Sequence, residues 1–363
     1  MTVLAAIAVL GLLIAVHEAG HFTAARLQGI HVNNFAIGFG PVLWSYQGAE
    51  TLYALRAIPL GGYVGFPDDD PDSEIEKDDP DLFKNRPLLD RAIVISAGVI
   101  ANLIFAYLVF VAQYTSVGVP EGINYEPGVL VPQVVSQEAP AAQAGIRAGD
   151  IITAIEGEDL GEAQGAIQTL QETIANSPNE PLEITVLRGD RQFDFTVTPE
   201  VSDSGDALIG VQLFPNGEPV YRRPNGVGEV LKFAAQEFQS KTVLIVQGFI
   251  TLITNFSEMA DQVAGPVRIV EQGAQFAQND LSRLFPFTAI ISINLAIINI
   301  LPLPALDGGQ LAFLLIEGLR GKPLPNRLQE NVMQTGLIVL LGLGIFLIVR
   351  DTTQLAVFQD FFQ

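Results

Sequence analysis

Residues 3–30 read VLAAIAVLGLLIAVHEAGHFTAARLQGI. Up to Val16 the run is apolar or glycine, as a membrane helix requires, and then two histidines and a glutamate interrupt it. An ionisable group at bilayer depth costs roughly 2.5–3.5 kcal/mol on insertion scales, so a helix that keeps three of them marks a functional site. A secretory signal peptide is the competing reading. No Lys or Arg precedes Arg26, and HEAGH falls where a signal peptide needs an unbroken apolar core, so a retained span is expected.

The whole chain agrees with a membrane class. Of its 363 residues 49% are hydrophobic and only 16% charged, with a mean hydropathy of +0.35. Four stretches approach the roughly 20 residues that cross a bilayer: 3–27, 92–114, 284–306 and 332–349. The net charge of -21 excludes nucleic acid as a partner, because phosphate binding needs basic patches. Much of that charge sits in FPDDDPDSEIEKDDPDLF, residues 66–83, which reads as a solvated linker. With no cysteine, any metal must be held by His, Asp or Glu.

Basic residues orient the spans. Arg26, Arg56, Lys77, Lys84, Arg86 and Arg91 lie between the first two, and Arg320, Lys322 and Arg327 follow the third, which places both loops in the cytoplasm. The long central segment is then extracytoplasmic. The apolar run TVLIVQGFITLIT, 242–254, is too short to cross and is expected as part of an amphipathic surface helix.

His17 and His21 are four apart, one turn above each other on one helix face, and Glu18 stands where a carboxylate can take a proton from activated water. This is the HExxH pattern of zinc proteases. A histidine-box oxidase needs more histidines than the three present, His17, His21 and His31. His31 lies past the helix beside a turn and reads as a surface residue. A catalytic zinc takes three protein ligands and leaves one position open. The strongest third candidate is Asp307 in SINLAIINILPLPALDGGQLAF, a lone acid in an apolar stretch broken by Pro302, Pro304 and Gly308-Gly309. Broken backbone at that depth is tolerated where protein or a watery cavity satisfies it. A helix N-cap is the plainer alternative for Asp307. With four spans, HEAGH and Asp307 fall toward the same cytoplasmic side.

HEAGH together with NILPLPALDGG resembles the site-2 protease family of intramembrane zinc metalloproteases, along nearly the whole chain. The resemblance implies His17, His21 and Asp307 as ligands of Zn2+, Glu18 as catalytic base, and metalloendopeptidase activity on transmembrane segments of single-span proteins, such as anti-sigma factors or signal-peptide remnants. It also implies substrate-side roles for Asn294, Asn299, Asn102, Gly61 and Gly62. Intramembrane Asn side chains serve equally as helix–helix glue. FAIGFGPVLWSY and YALRAIPLGGYVGF resemble the family's membrane-reentrant β-hairpin. Val99 stands in SAGVIANLIFAY where most bacterial members have proline, and with the acidic loop this resembles the cyanobacterial and chloroplast branch. No transit peptide precedes the first span, so a bacterial plasma or thylakoid membrane is expected.

Residues 126–200 alternate as strands around the helical AIQTLQETIA and resemble one PDZ domain. Gly128-Val129-Leu130-Val131 matches the carboxylate-binding strand, so a peptide ligand in that groove is one expected role and a size filter is the other. The expected fold is thus a polytopic α-helical membrane protein of about four transmembrane helices, a membrane-associated β-hairpin and one extracytoplasmic α+β PDZ domain. Its parts are an N-terminal membrane half 1–125 (hairpin 35–66, acidic loop 67–90), the PDZ domain 126–200, a connector 201–283, and a C-terminal membrane half 284–363. Gly265-Pro266-Val267 in the connector reads as a turn. The rival from another class is a catalytically inactive adaptor that binds membrane proteins through its PDZ domain; intact HEAGH and Asp307 speak against it.

Overall fold

The structure, a computed structural model, describes residues 2–354 apart from 71, 72, 74, 133, 137, 162, 203, 204 and 257–262. Parts of the expected acidic loop and connector, and the end of the C-terminal half, therefore lie outside the described residues. Along the chain run α1 (Thr2–Leu27), β1 (Asn34–Gln47), β2 (Leu52–Gly65), α2 (Leu88–Ser116), β3 (Val119–Leu130), α3 (Pro140–Ala144), β4 (Ile151–Ile155) and β5 (Glu158–Asp159). There follow α4 (Ala163–Ala175), β6 (Leu182–Arg188), β7 (Arg191–Val197), β8 (Glu200–Val201), β9 (Ala207–Leu208) and β10 (Phe214–Arg222). Last come α5 (Val227–Thr254), α6 (Pro266–Asn279), α7 (Leu284–Ile300), α8 (Asp307–Arg320) and α9 (Asn326–Gln354). The chain divides into two compact units, Gly118–Arg223 and the remainder.

In the larger unit, among the described residues, four helices are long and apolar enough to cross a membrane: Thr2–Leu27, Leu88–Ser116, Leu281–Ile300 and Arg327–Thr353. Close packing of α1 on α2 follows from small residues. A Cβ on Gly20 would overlap the Ala97 carbonyl and sit 2.7 Å from the Ala101 methyl, the contact small residues permit between membrane helices, where no hydrophobic drive exists. Gly29, at φ +75°, ends α1 in a left-handed cap, with the Ile30 amide donating to the Ala25 carbonyl at 3.0 Å.

Helix α7 stops where Pro302 and Pro304 remove amides. After a six-residue break the chain restarts as α8, and the break includes Ala305 at φ +69°. Gly308 and Gly309 are required here: a Cβ on either would overlap the carbonyls of Ile300, Leu301 or Leu303. Arg91 of α2 grips Glu317 of α8 with both terminal guanidinium nitrogens. The expected turn at Gly265-Pro266-Val267 opens α6 with proline in its first turn. The buried Asp351 carboxylate of α9 accepts the Arg268 amide at 3.1 Å, at the positive end of that helix.

Two expectations need adjustment here. The run 242–254 is the second half of the 28-residue α5, so the argument that it is too short fails. Its charged first half, with Glu229, Lys232, Glu237 and Lys241, keeps it out of the apolar class. The segment expected as a hairpin over 35–66 is folded further. Phe35 pairs with Tyr53 in parallel register and with Val64 in antiparallel register, while Tyr46 pairs with Tyr53. Each 14-residue strand is thus bent into halves, making four ribbons in the order 42–47, 52–56, 34–37, 62–65. Left-handed glycines make the bends, Gly38 at φ +89°, Gly40 at +81° and Gly61 at +106°. Phe39, Leu43, Trp44 and Tyr46 are exposed.

The smaller unit is an antiparallel sheet in the order β10-β3-β4-β6-β7, with β5 on β4. Val129, Ile146, Ile152, Leu170, Ile184 and Val186 form its core. The expectation that Gly128–Val131 offers a binding strand is overturned. Val129 pairs with Ile152 on one side and Pro215 on the other, and Val129 and Val131 are fully buried. A strand with both edges occupied cannot take another; among the described residues the free edges belong to β7 and β10.

AGIRAGD is pinned by charge. The buried Asp150 carboxylate accepts both Nε and Nη2 of Arg188 at 2.7 Å and the Arg147 amide at 2.8 Å. Arg188 also donates to the Gly145 carbonyl at 2.8 Å. Burial alone would raise the Asp150 carboxyl, but the Arg188 and Arg147 donors more than offset it and hold it below the usual carboxylate range. A depressed pKa makes this stabilisation complete above the unfolded value of roughly 3.9 and lost as pH falls through the folded one. Arg188→Leu is expected to destabilise the domain by about 3 kcal/mol at neutral pH, because it strands a buried charge, and to remove most of the acid loss, because the folded carboxyl no longer lies well below its unfolded value. Hydrogen exchange of the β4 and β6 amides against pH reads both; unchanged protection at neutral pH would refute the expectation.

Candidate metal centre

Three elements meet at HEAGH. Helix α1 carries His17, Glu18 and His21, α8 begins at Asp307, and α2 lies behind the histidine pair. His17 Nε2 and His21 Nε2 stand 3.2 and 3.3 Å from Asp307 Oδ2 and 3.2 Å from each other. The imidazoles are edge-to-face, with centroids 4.7 Å apart, so their Nε2 atoms converge while the rings do not stack. Asp307 does not cap its helix: Leu306 holds the cap position without a side-chain bond, and Asp307 points to the histidines instead. Its place in the first turn puts the carboxylate at the helix's positive end.

The donor set fits a metal ion. Tetrahedral zinc with N and O ligands at about 2.0–2.2 Å needs ligand atoms roughly 3.3–3.5 Å apart, close to the three separations found. Asp307 Oδ2 is buried without a hydrogen-bond partner, an acceptor left open for a cation. The tautomer of His21 is fixed for the same purpose. Its Nδ1 is 2.8 Å from the Val94 carbonyl, which can only accept, so the proton sits on Nδ1 and the Nε2 lone pair faces the centre.

The other expected residues distribute unevenly. Asn299 Nδ2 lies 3.3 Å from His17 Nε2. Asn102 Nδ2 is 3.3 Å from His17 Nδ1, behind the ring. Asn294 makes no hydrogen bond to the three ligand candidates. A Cβ on Gly62 would meet Glu18 Cγ at 2.8 Å, so β2 passes directly beside that glutamate, whereas Gly61 faces the Phe39 ring. His31 stands apart, 3.9 Å from Asp79, in a small cluster with Asp81.

The sequence reading missed three contributors. Gly98 clears space for the imidazoles, since a Cβ there would overlap His21 Nε2 and come within 2.7 Å of His17 Cε1. The Val94 carbonyl is backbone and leaves no trace in residue type. Ser292 donates to the Asn102 carbonyl at 2.8 Å and ties α7 to α2. Only Gly98 left a signal, its place four residues before Asn102 in SAGVIAN.

The model of Peptidase family M50 matches residues 5–343. A relative from Nostoc sp., named as a zinc metalloprotease, is 60% identical over 98% of this chain and 97% of its own length. Membrane metalloprotease ARASP, chloroplastic, of Arabidopsis thaliana is 47% identical, covering 98% of this chain and 79% of that one. Regulator of sigma-W protease RasP of Bacillus subtilis is 29% identical over 98% of this chain and 99% of that one. A match that runs from the first span to the last, over helices that carry HEAGH and the LDG aspartate, places the chain in peptidase family M50, the site-2 proteases, as a multi-pass membrane protein and a zinc metalloprotease.

Proposed function

We propose that this protein is an intramembrane endopeptidase that cuts the transmembrane segments of single-span membrane proteins. The observation that carries the reading is the convergence of His17, His21 and Asp307 among apolar helices, with β2 running past Glu18. His17, His21 and Asp307 would hold the zinc through Nε2, Nε2 and a carboxylate oxygen. Bound there, zinc polarises a scissile carbonyl and lowers the pKa of water towards about 7. Glu18 takes the proton from the attacking water and delivers it to the leaving amine. The Asn299 amide, beside His17 Nε2, donates to the oxygen that gains charge in the transition state.

A substrate helix hides its carbonyls in its own hydrogen bonds and must unwind before it is cut. The ribbon 62–65 is one of the two outer ribbons of its sheet and lies against Glu18. An unwound segment can pair there as an added strand, which presents its carbonyls in a fixed register. Basic residues between the first and second spans and after α8 support a cytoplasmic active site, with the 118–223 domain extracytoplasmic. The first two relatives support a cyanobacterial or plastid-type membrane, and the name of the Bacillus relative supports a regulatory role in proteolysis.

The test uses purified full-length protein in proteoliposomes with a labelled single-span substrate. Cleavage is expected inside the apolar segment by mass spectrometry of the products, abolished by a chelator and restored by zinc. Products cut only in the soluble flanks, or cleavage indifferent to chelation, would overturn the proposal.

A further inference from the structure

Asn102 is fully buried at the middle of α2, and its contact with His17 is chemically unfinished. Its Nδ2 faces His17 Nδ1 at 3.3 Å, while its Oδ1 is buried with no hydrogen-bond partner. His17 turns Nε2 toward Asp307 and His21. A metal held through Nε2 requires the ring proton on Nδ1, and a protonated Nδ1 needs an acceptor, which an amide nitrogen is not. Turning the Asn102 amide by half a rotation exchanges the two atoms, a choice that heavy-atom positions leave open. Oδ1 then accepts from His17, and no bond is broken, because Oδ1 accepts none where it stands.

We infer that Asn102 is a positioning residue for His17: its side-chain oxygen accepts the Nδ1 proton and so fixes the tautomer and the plane of that ring. This assignment rests on the reading of His17, His21 and Asp307 as the zinc ligands, and it moves Asn102 from the substrate side to the back of the metal site. Its neighbours on α2 perform parallel tasks. Val94, Gly98 and Asn102 are spaced by four and share a face of the helix. The Val94 carbonyl orients His21, Gly98 leaves room for both rings, and Asn102 orients His17. Ser292 holds the template from behind through the Asn102 carbonyl. One face of α2 thereby sets both imidazoles, which is why the second span belongs to the centre although it supplies no ligand.

The test compares wild type, Asn102→Leu and Asn102→Asp as full-length protein in detergent. Zinc affinity is measured by chelator competition, the Co2+ absorption spectrum reports the ligand field, and thermal unfolding of the stripped protein checks the fold. Loss of an outer partner of a metal-bound histidine weakens binding by about 10–100-fold, and that loss is expected for Asn102→Leu. Asn102→Asp keeps an acceptor oxygen and is expected to stay within about threefold of wild type, with its Co2+ spectrum unchanged. Normal zinc affinity in folded Asn102→Leu overturns the inference, and a raised KM at normal affinity would return Asn102 to the substrate side. Should Asn102→Leu not fold, Asn102→Asp decides, because loss of zinc there shows that the acceptor oxygen is not what matters. Wild type that binds no zinc would instead sink the underlying ligand reading.

Discussion

Glu18→Gln abolishes cleavage while zinc content stays at the wild-type level. General-base removal costs about 10²–10⁴-fold in rate, and nothing else about the site needs to change. Glutamine has the shape of glutamate, so the close contact with Gly62 on β2 is kept, and neither histidine loses a partner, because His21 is held by Val94 and His17 faces Asn102. The measurement pairs product formation from a single-span substrate with zinc per protein by atomic absorption. A variant that cleaves at a tenth of the wild-type rate or faster would remove Glu18 from the proton transfer, and one that loses zinc would make it part of the metal site instead.

How far the chain could be read before its structure depended on where each signal resides. HEAGH and Asp307 were legible because ionisable groups in apolar helices stand out against a solvation cost of several kcal/mol. Their pairing was expected from the parity of four spans, and the structure brings the side chains to 3.2 and 3.3 Å of each other. The template on α2 was not. A carbonyl such as that of Val94 has no residue type, and Gly98 is one small residue among several in a helix that uses small residues for packing. The sheet was half legible. Strand propensity and glycine bends are local, but the parallel register of Phe35 with Tyr53 is decided by how the halves stack. The Gly128–Val131 assignment failed for a related reason. Its edge is filled by β10, whose Pro215 lies far along the chain, and no feature of GVLV announces that partner.

Asp307→Ala is expected to strip the centre of zinc and to lose cleavage with it. The substitution removes one of three converging donors, so the effect should exceed the roughly 10–100-fold range found when only an outer partner is lost. The fold should tolerate the change. Asp307 makes no cap for α8, whose first turn is set by Gly308 and Gly309 against the end of α7 and whose body is held by the Arg91–Glu317 pair. The apo protein is relieved of a buried carboxylate oxygen that lacks a hydrogen-bond donor, so its thermal midpoint should not fall. His31→Ala is the matched control, since His31 pairs with Asp79 outside the centre and its loss should leave metal content unchanged. Zinc per protein after dialysis against a weak chelator separates the cases. Retention of zinc by Asp307→Ala would mean that the third ligand lies elsewhere and that the aspartate at the start of α8 serves the histidines as a hydrogen-bond acceptor. Parallel loss in His31→Ala would point instead to a fold defect shared by both variants.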